Sequence, residues 1–594
     1  MTIDEQGEHE TRIGGELLAA MLAAEGVSRV FGIIDGTYLG LYTAFEKYGI
    51  QLISPRHETS AAHMAGAYAR SSGMLGVCMA SNGPGVANIL PGVAVEGGEG
   101  NRVLLLTSCR RTGIAYPERG GTFQYFDQVG VTAPMTKWSE TVHSPERLPE
   151  LARQAFSAAW QGRPGVVHLD VPENILNGAS VYPANAVREP ASYRPLQPLA
   201  VDPSQVEAAA ALLRDAAFPL IHAGSGIVHS QAATQLAALA AALSAPMTCS
   251  WGARGVLDES SPLAIPNSTM NVAKHARTRS DLFLVLGSRV GETDWWGRGH
   301  QWGGSQPAVP KRCIQVDIDG AIIGRHRPAD LAVVGDVKVF LNALLEALRH
   351  QPVAAETLAS RATIVAELAA EKAASRAELD AALASTETPM HPAHVPSIAR
   401  KVFGDDGMLV IDGGNTAVWC AHYYRNARPD AIHSTFKFGM LGAGVGQALG
   451  LKAAHPARPV VCIIGDGAMG MHLQEIETAV RSNLPVVYVV LCDRQWGMVK
   501  LTQQFGIGEL REAMGIEAEG TINTDFEEIR FDQVAVAMGA HGERVADPTQ
   551  LEAVLQRALD SGRPGVIHVD VDPVAHLWAP NLLEFKEMHG EPVG

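Results

Sequence analysis

The chain has 594 residues, 46% hydrophobic and 19% charged, with a formal net charge of −16. That length exceeds one core and points to about three or four domains, while the acidic balance, with no cluster of Lys and Arg interleaved with aromatics, excludes a nucleic-acid or anionic-membrane partner. Seven scattered cysteines without a Cys-x-x-Cys pair describe reduced core residues of a cytoplasmic protein rather than a disulfide or zinc framework, and no apolar run approaches membrane-spanning length.

In chain order, the acidic, polar stretch Met1–Glu10 is not expected to be a signal peptide. Gly162-Arg-Pro-Gly-Val-Val-His-Leu-Asp-Val171 then recurs as Gly562-Arg-Pro-Gly-Val-Ile-His-Val-Asp-Val571, identical at eight of ten positions with an offset of 400. Two copies of one α/β domain are implied, with an unlike segment between them. The expected domains are residues 10–180, 195–350 and 390–580. Pro-rich text from Pro183 to Pro203 predicts the first linker.

In the middle segment, Phe218–Gly226, Leu282–Arg289 and Ile314–Asp319 are strand-then-turn patterns spaced by helical stretches, so a third doubly wound sheet is expected. Gly224-Ser-Gly226 and the turn after Leu286 fit a tight turn, the commoner fate, and also a nucleotide loop. The Ala-rich, charge-mixed segment from Glu356 to Ala384 predicts one or two surface helices before the last domain.

The most informative stretch is Val460-Val-Cys-Ile-Ile-Gly-Asp-Gly-Ala-Met-Gly470, followed by Asp493 at the end of Val486–Cys492. Two short apolar runs predict neighbouring parallel strands. The segment between them, with Leu473, Ile476, Ala479 and Val480 on one face, predicts the crossover helix. Asp466 and Asp493 then fall at carboxyl ends of adjacent strands, where open parallel sheets bind ligands, and the amides of Gly467, Ala468 and Met469 are expected free beside them. Gly-Asp-Gly alone reads equally as a helix-capping turn. The second carboxylate at matched depth points instead to a magnesium ion carrying a diphosphate.

With the repeat and these carboxylates in place, the chain resembles the thiamine-diphosphate-dependent decarboxylase and carboligase family, which includes acetolactate synthase large subunits, benzaldehyde lyase and 2-hydroxyacyl-CoA lyase. The resemblance covers nearly the whole chain and rests on Val30–Gly36, Arg56–Arg70, Asn82–Asn88, Thr122–Asp127 with Pro134–Lys137, Ile318–Gly324 and Phe438–Gly444. It implies an α/β chain of three doubly wound parallel-sheet domains. The first and third are homologous cofactor-binding folds for the pyrimidine and the diphosphate; the second is nucleotide-binding-like.

By this resemblance Glu58 is the catalytic carboxyl, which shares a proton with ring nitrogen N1′ of the aminopyrimidine. Read alone, Glu58 also fits a first-turn carboxylate offsetting its helix dipole. The implied cofactor contacts are Asn82, Gly413, Gly414, Asn415, Gly439, Leu441, Gly465, Gly467, Ala468 and Met469. Leu441 is placed as the apolar wedge between the two rings, although a core Leu at a Gly-rich helix start describes it equally. The implied metal ligands are Asp466, Asp493 and the backbone carbonyl of Gln495. Thr37, Tyr38, Phe123, Gln124, Trp496 and Met498 are expected toward the substrate, with Phe123 and Trp496 also readable as core aromatics.

The family pattern is departed from at five points. Cys492-Asp493 stands for the usual Asn-Asn, which makes the metal site more anionic. Val171-Pro-Glu-Asn174 lacks the Lys of acetolactate synthases, and Thr502 stands at the position of their Trp. Pro266-Asn-Ser-Thr-Met270 replaces the flavin-associated Gly-Met-His-Gly, so FAD or ADP in the central domain has no motif behind it. Ser108-Cys-Arg-Arg111 lacks the His-His pair of pyruvate decarboxylases. The implied activity is C–C bond cleavage or carboligation on a 2-keto acid or 2-hydroxy ketone, acetolactate synthase-like. The alternatives are a 2-hydroxyacyl-CoA lyase or oxalyl-CoA decarboxylase, and a cofactor-binding subunit without turnover. The resemblance also implies small-molecule substrates and a homodimer or homotetramer with the active site between subunits.

Overall fold

A computed structural model describes residues 9–302 and 311–587, so the acidic amino-terminal stretch lies almost wholly outside the described residues. The chain divides into two compact units. The first holds residues up to Gln197 together with Gly442–Ala457 and His472–Val486, and the second holds Pro198–Leu441, Arg458–Met471 and the chain from Val487 onward.

The first unit is built on a six-stranded parallel sheet in the spatial order Gln51–Ile53, Arg29–Gly32, Gly76–Ala80, Val103–Cys109, Val166–Pro172, Trp138–Thr141. Gly76–Ala80, Val103–Cys109 and Val166–Pro172 are buried along their whole length, as expected of strands covered on both faces. A two-stranded antiparallel ribbon, His9–Ile13 with Ala179–Pro183, ties the two ends of this segment together and was not foreseen.

Helix Glu58–Ser72 packs in this unit against helices Pro84–Glu99 and Ala443–Ala454. Backbones meet where side chains are missing: a Cβ on Gly450 would lie 2.2 Å from the Met64 carbonyl oxygen, and one on Gly92 would lie 2.7 Å from that of Thr59. Gly450→Ala is therefore expected to force the helices apart at a cost of about 1–3 kcal/mol, read as a lowered unfolding midpoint in a thermal melt; an unchanged midpoint counts against this packing.

The expected single crossover helix after Asp466 is two helices, Asp466–His472 and Glu475–Arg481, broken at Leu473 and Gln474. Ile476 and Ala479 are buried as the periodicity required, whereas Leu473 and Val480 are half-buried. The break places Glu475 at the first turn of the second helix, fully buried, where its carboxylate accepts the amide of Arg56 at 3.0 Å and the hydroxyl of Thr478 at 2.7 Å.

The second unit contains two parallel sheets. The central one has five strands in the order Met247–Cys249, Pro219–Ala223, Leu282–Leu286, Arg312–Asp317, Leu331–Val334. The last has six, in the order Ile432–Ser434, Met408–Asp412, Val460–Gly465, Val486–Cys492, Gly565–Asp570, His541–Val545. Matched in chain order, these six repeat the strand order of the first unit's sheet. The two decapeptides fall on equivalent strands, Val166–Pro172 and Gly565–Asp570. The duplication read from ten residues is thus a duplication of whole sheets.

The glycines of the central turns are explained by packing: a Cβ on Gly224 would lie 2.2 Å from the Gly287 oxygen and one on Gly226 would lie 2.6 Å from the Gly287 Cα. The segment after Glu356 forms one long helix, Ala355–Asp380, followed by a short turn of 3₁₀ helix. It is more than a surface element. Arg361 is fully buried and donates to the carbonyls of Leu213, Ala216 and Leu243, the open ends of helices Pro203–Asp215 and Ala233–Leu243. All seven cysteines are buried and free, and among the described residues no helix is long and apolar enough to cross a membrane.

Candidate active site

The first unit carries one group of the expected residues. Strand Gln51–Ile53 leads into helix Glu58–Ser72, which His57 caps by accepting the amide of Thr59 on its Nδ1. Glu58 is the first helical residue and is buried, so it is not a solvated dipole partner. Its Oε2 accepts Nδ2 of Asn88 at 3.1 Å. The turn before helix Pro84–Glu99 lies against the same carboxyl, since a Cβ on Gly85 would stand 3.4 Å from Oε1.

That turn is firmly held. Asn82 donates its amide to Ser108 Oγ at 3.0 Å, Gly83 donates to Gln128 Oε1 at 2.9 Å, and Asn82 Nδ2 reaches the carbonyl of Gln124 at 3.3 Å. Gly83 has φ +70°, and any Cβ would sit 2.6 Å from the Gln124 oxygen, so only glycine fits. Thr37 joins the same network through a 2.5 Å contact between its hydroxyl and that of Ser108. Ser108 was not singled out from sequence, yet it connects Thr37 to Asn82. Tyr38 is 1% exposed and its hydroxyl donates to the Ile33 carbonyl, so it is part of the core. Phe123 is 73% exposed and is not a core residue.

The second group lies in the second unit. Strand Met408–Asp412 ends in Gly413, at φ +100°, whose amide donates to Asp412 Oδ1 and whose absent Cβ would lie 3.3 Å from the Gly465 nitrogen. Met498 packs on Gly414, with its Cγ 2.6 Å from the Cβ position there. Asn415 donates its Nδ2 to the carbonyls of His576 and Leu577 at 3.1 and 3.2 Å, and its Oδ1 is buried without a partner. Gly439 has φ +71° and open space beside it, and Leu441 is half-buried just before helix Ala443–Ala454.

Asp466 and Asp493 are both buried and follow adjacent strands, as the sequence predicts. Burial and then the charge of Asp493 push the Asp466 carboxyl up to about 6. One expectation is corrected: the Gly467 amide is not free, because it donates to Asp466 Oδ1 at 2.7 Å, while Oδ2 accepts the amide of Arg494 at 2.7 Å. A short side chain at a strand end satisfies its own following amide first. The indole of Trp496 covers Gly467, its Cζ3 lying 2.6 Å from the Cβ position, and stands edge-on to Phe526 at 4.7 Å. The loop after Val486–Cys492 is clamped from outside: Trp496 donates its amide to the Thr524 carbonyl at 2.7 Å and Phe526 donates to that of Arg494 at 2.8 Å. This clamp was not read from sequence, because Thr524 and Phe526 sit in a polar loop without periodicity.

Beside the carboxylates opens a cavity of about 340 Å³ lined by Asp466, Asp493, Arg494, Phe526, Arg544 and Asp570, among others. Glu528, His568 and Asp570 converge on its wall within 4.8 Å. Arg544 already donates to both oxygens of Asp570 and to Glu528, so a guanidinium stands where a cation would. At Asp466 and Asp493, by contrast, two buried, mutually opposed carboxylates beside glycine-lined loops make a donor set that fits a hard divalent cation and an anionic phosphate tail.

The chain matches three family models: the N-terminal TPP binding domain of thiamine pyrophosphate enzymes over residues 12–131, their central domain over 206–344 and their C-terminal TPP binding domain over 412–569. Together with the duplicated sheets, these matches define a thiamine pyrophosphate-dependent enzyme. Along its length it is similar to the acetolactate synthase isozyme 2 large subunit of Escherichia coli, 30% identical over 95% of this chain and 96% of that protein. It is also similar to the probable acetolactate synthase large subunit of Methanocaldococcus jannaschii, 29% identical over 95% of this chain and 93% of the relative. The acetolactate synthase large subunit of Parasynechococcus marenigrum is 29% identical over 95% and 88%. The chain belongs to the thiamine pyrophosphate-dependent family that includes the acetolactate synthase large subunits.

Proposed function

We propose that the enzyme cleaves the C–C bond next to the carbonyl of a 2-keto acid or 2-hydroxy ketone and passes the resulting fragment to an acceptor carbonyl, as an acetolactate synthase-like carboligase. The observation that carries this reading is likeness to acetolactate synthase large subunits over 95% of the chain, in a protein that keeps the carboxylates of Glu58, Asp466 and Asp493 buried.

Thiamine diphosphate bound there would supply a nucleophilic carbon and an electron sink for the bond next to the carbonyl. In our reading Glu58, held by Asn88, gives and takes a proton at N1′ of the aminopyrimidine. Asp466, Asp493 and the Gln495 carbonyl would hold Mg²⁺. Residues 413–415 and 465–469, at the two strand ends and helix starts, would bind the diphosphate, and Gly439 and Leu441 the rings. Asn82 orients the pyrimidine, and Thr37, Gln124, Phe123, Trp496 and Met498 face the substrate; Tyr38 supports Thr37 from the core. Residues 10–180, 195–350 and 390–580 act as pyrimidine, central and diphosphate domains. By the same resemblance the working form is a homodimer or homotetramer with its active site between subunits, and seven free cysteines support a cytoplasmic setting.

Pyruvate given to the protein with thiamine diphosphate and Mg²⁺ is expected to yield CO₂ and acetolactate, followed colorimetrically after conversion to acetoin. Absence of both products from pyruvate, with cleavage of a 2-hydroxyacyl-CoA or oxalyl-CoA instead, would replace this reading by the CoA-substrate one. Thr502 is the reason to include those substrates: its hydroxyl donates to the Met498 carbonyl at 2.9 Å and accepts Lys586 at 2.6 Å, so no large apolar side chain stands there.

A further inference from the structure

The second carboxylate, Asp493, departs from the amide expected at its position, and a carboxylate has two oxygens to satisfy where an amide presents one. Both hydrogen bonds to its side chain fall on Oδ2. His576 Nδ1 lies 2.6 Å from that atom and Gln495 Nε2 lies 3.0 Å from it. His576 is buried, and its backbone is pinned as tightly as its ring. Its carbonyl accepts Nε1 of Trp419 at 3.0 Å and Nδ2 of Asn415 at 3.1 Å, and its helix, Pro573–Leu577, is capped by Asp572. On the other edge of the ring, Nε2 stands 3.3 Å from the hydroxyl of Thr416.

The imidazole therefore bridges the first turn of helix Gly414–Tyr423 and the loop after Val486–Cys492. A histidine held at its backbone carbonyl and at both ring nitrogens has one orientation available, and a carboxylate held by such a ring is fixed with it.

We propose that His576 is a positioning residue of the cation site: it holds Oδ2 of Asp493 through Nδ1, leaves Oδ1 as the oxygen for the cation, and joins that ligand to the helix start bearing Asn415 and Thr416. The inference rests on the reading of Asp466 and Asp493 as cation ligands. Its chemistry is that of an outer-shell partner, which donates to a ligand without touching the ion. His576 lies 83 residues from Asp493 in sequence, and nothing in its surroundings marks it.

The test uses Mn²⁺ as the probe, titrated in the presence of thiamine diphosphate, with free Mn²⁺ followed by electron paramagnetic resonance. His576→Ala is expected to weaken Mn²⁺ binding by about 10-fold or more, with far-UV circular dichroism and the apo melting curve close to wild type. His576→Asn, whose Nδ2 stands near the place of Nδ1, is expected to restore most of the affinity. Wild-type affinity in a folded His576→Ala overturns the positioning role alone. So does a His576→Asn variant that is folded and as weak as His576→Ala. A wild-type protein that takes up no Mn²⁺ removes the cation reading, and this inference with it.

Discussion

Glu58→Gln is expected to lower turnover by about 10²–10⁴-fold, the usual contribution of a positioned acid–base group, while thiamine diphosphate stays bound. The side chain begins helix Glu58–Ser72, is buried, and keeps its Oε2 against Asn88 Nδ2 at 3.1 Å. Glutamine matches its shape and accepts the same hydrogen bond through its own oxygen. The variant therefore loses only the ability to exchange a proton. If Glu58 served the helix alone, the same change would cost at most about 1 kcal/mol of stability and leave the rate alone. Steady-state rates, paired with cofactor retention on a desalting column, separate the two. Wild-type turnover in Glu58→Gln removes the role assigned to it.

Asp466→Ala is expected to abolish the stabilisation that thiamine diphosphate and Mg²⁺ together confer. Ligand present at 100 times its dissociation constant stabilises the wild-type protein by about 2.7 kcal/mol, visible as an upward shift of the unfolding midpoint. Asp466 is a strand-end carboxylate held at both oxygens by the amides of Gly467 and Arg494, so its position is fixed before any ion arrives. Its burial beside Asp493 makes the empty pair unfavourable, which pushes the carboxyl up to about 6. Removing one charge relieves that opposition. Against that relief stands the loss of the acceptor for the Gly467 and Arg494 amides, so the diagnostic of the variant is its lost response to cofactor and not its own midpoint. A full ligand-induced shift in Asp466→Ala would exclude this carboxylate from the cation site.

The parts legible in the sequence were those fixed by short-range patterns. Apolar runs ending in Asp466 and Asp493 gave adjacent strand ends, and the decapeptide ending at Val171 and Val571 announced two sheets of one topology. The parts that escaped depend on contacts between distant segments. His576 meets Asp493 across 83 residues, Ser108 joins Thr37 to Asn82 across strand ends, and Phe526 reaches Trp496 in the loop after Asp493 from a segment without periodicity. Tyr38 illustrates the opposite difficulty: it adjoins Thr37, yet its ring turns into the core, because one residue's step along a 3₁₀ turn swings the side chain by about 120°. The break at Leu473 and Gln474 was hidden because Ile476 and Ala479 keep helical spacing on its far side.

The close approach of Gly450 to Met64 bears on how this chain can be divided. Helix Ala443–Ala454 covers helix Glu58–Ser72 although hundreds of residues separate them along the polypeptide. A gene fragment ending after the first copy would leave an Ala- and Gly-rich helical surface bare to water. The first copy thus draws one of its covering helices from far along the polypeptide, and expressing residues up to Gln197 by themselves should yield an insoluble product.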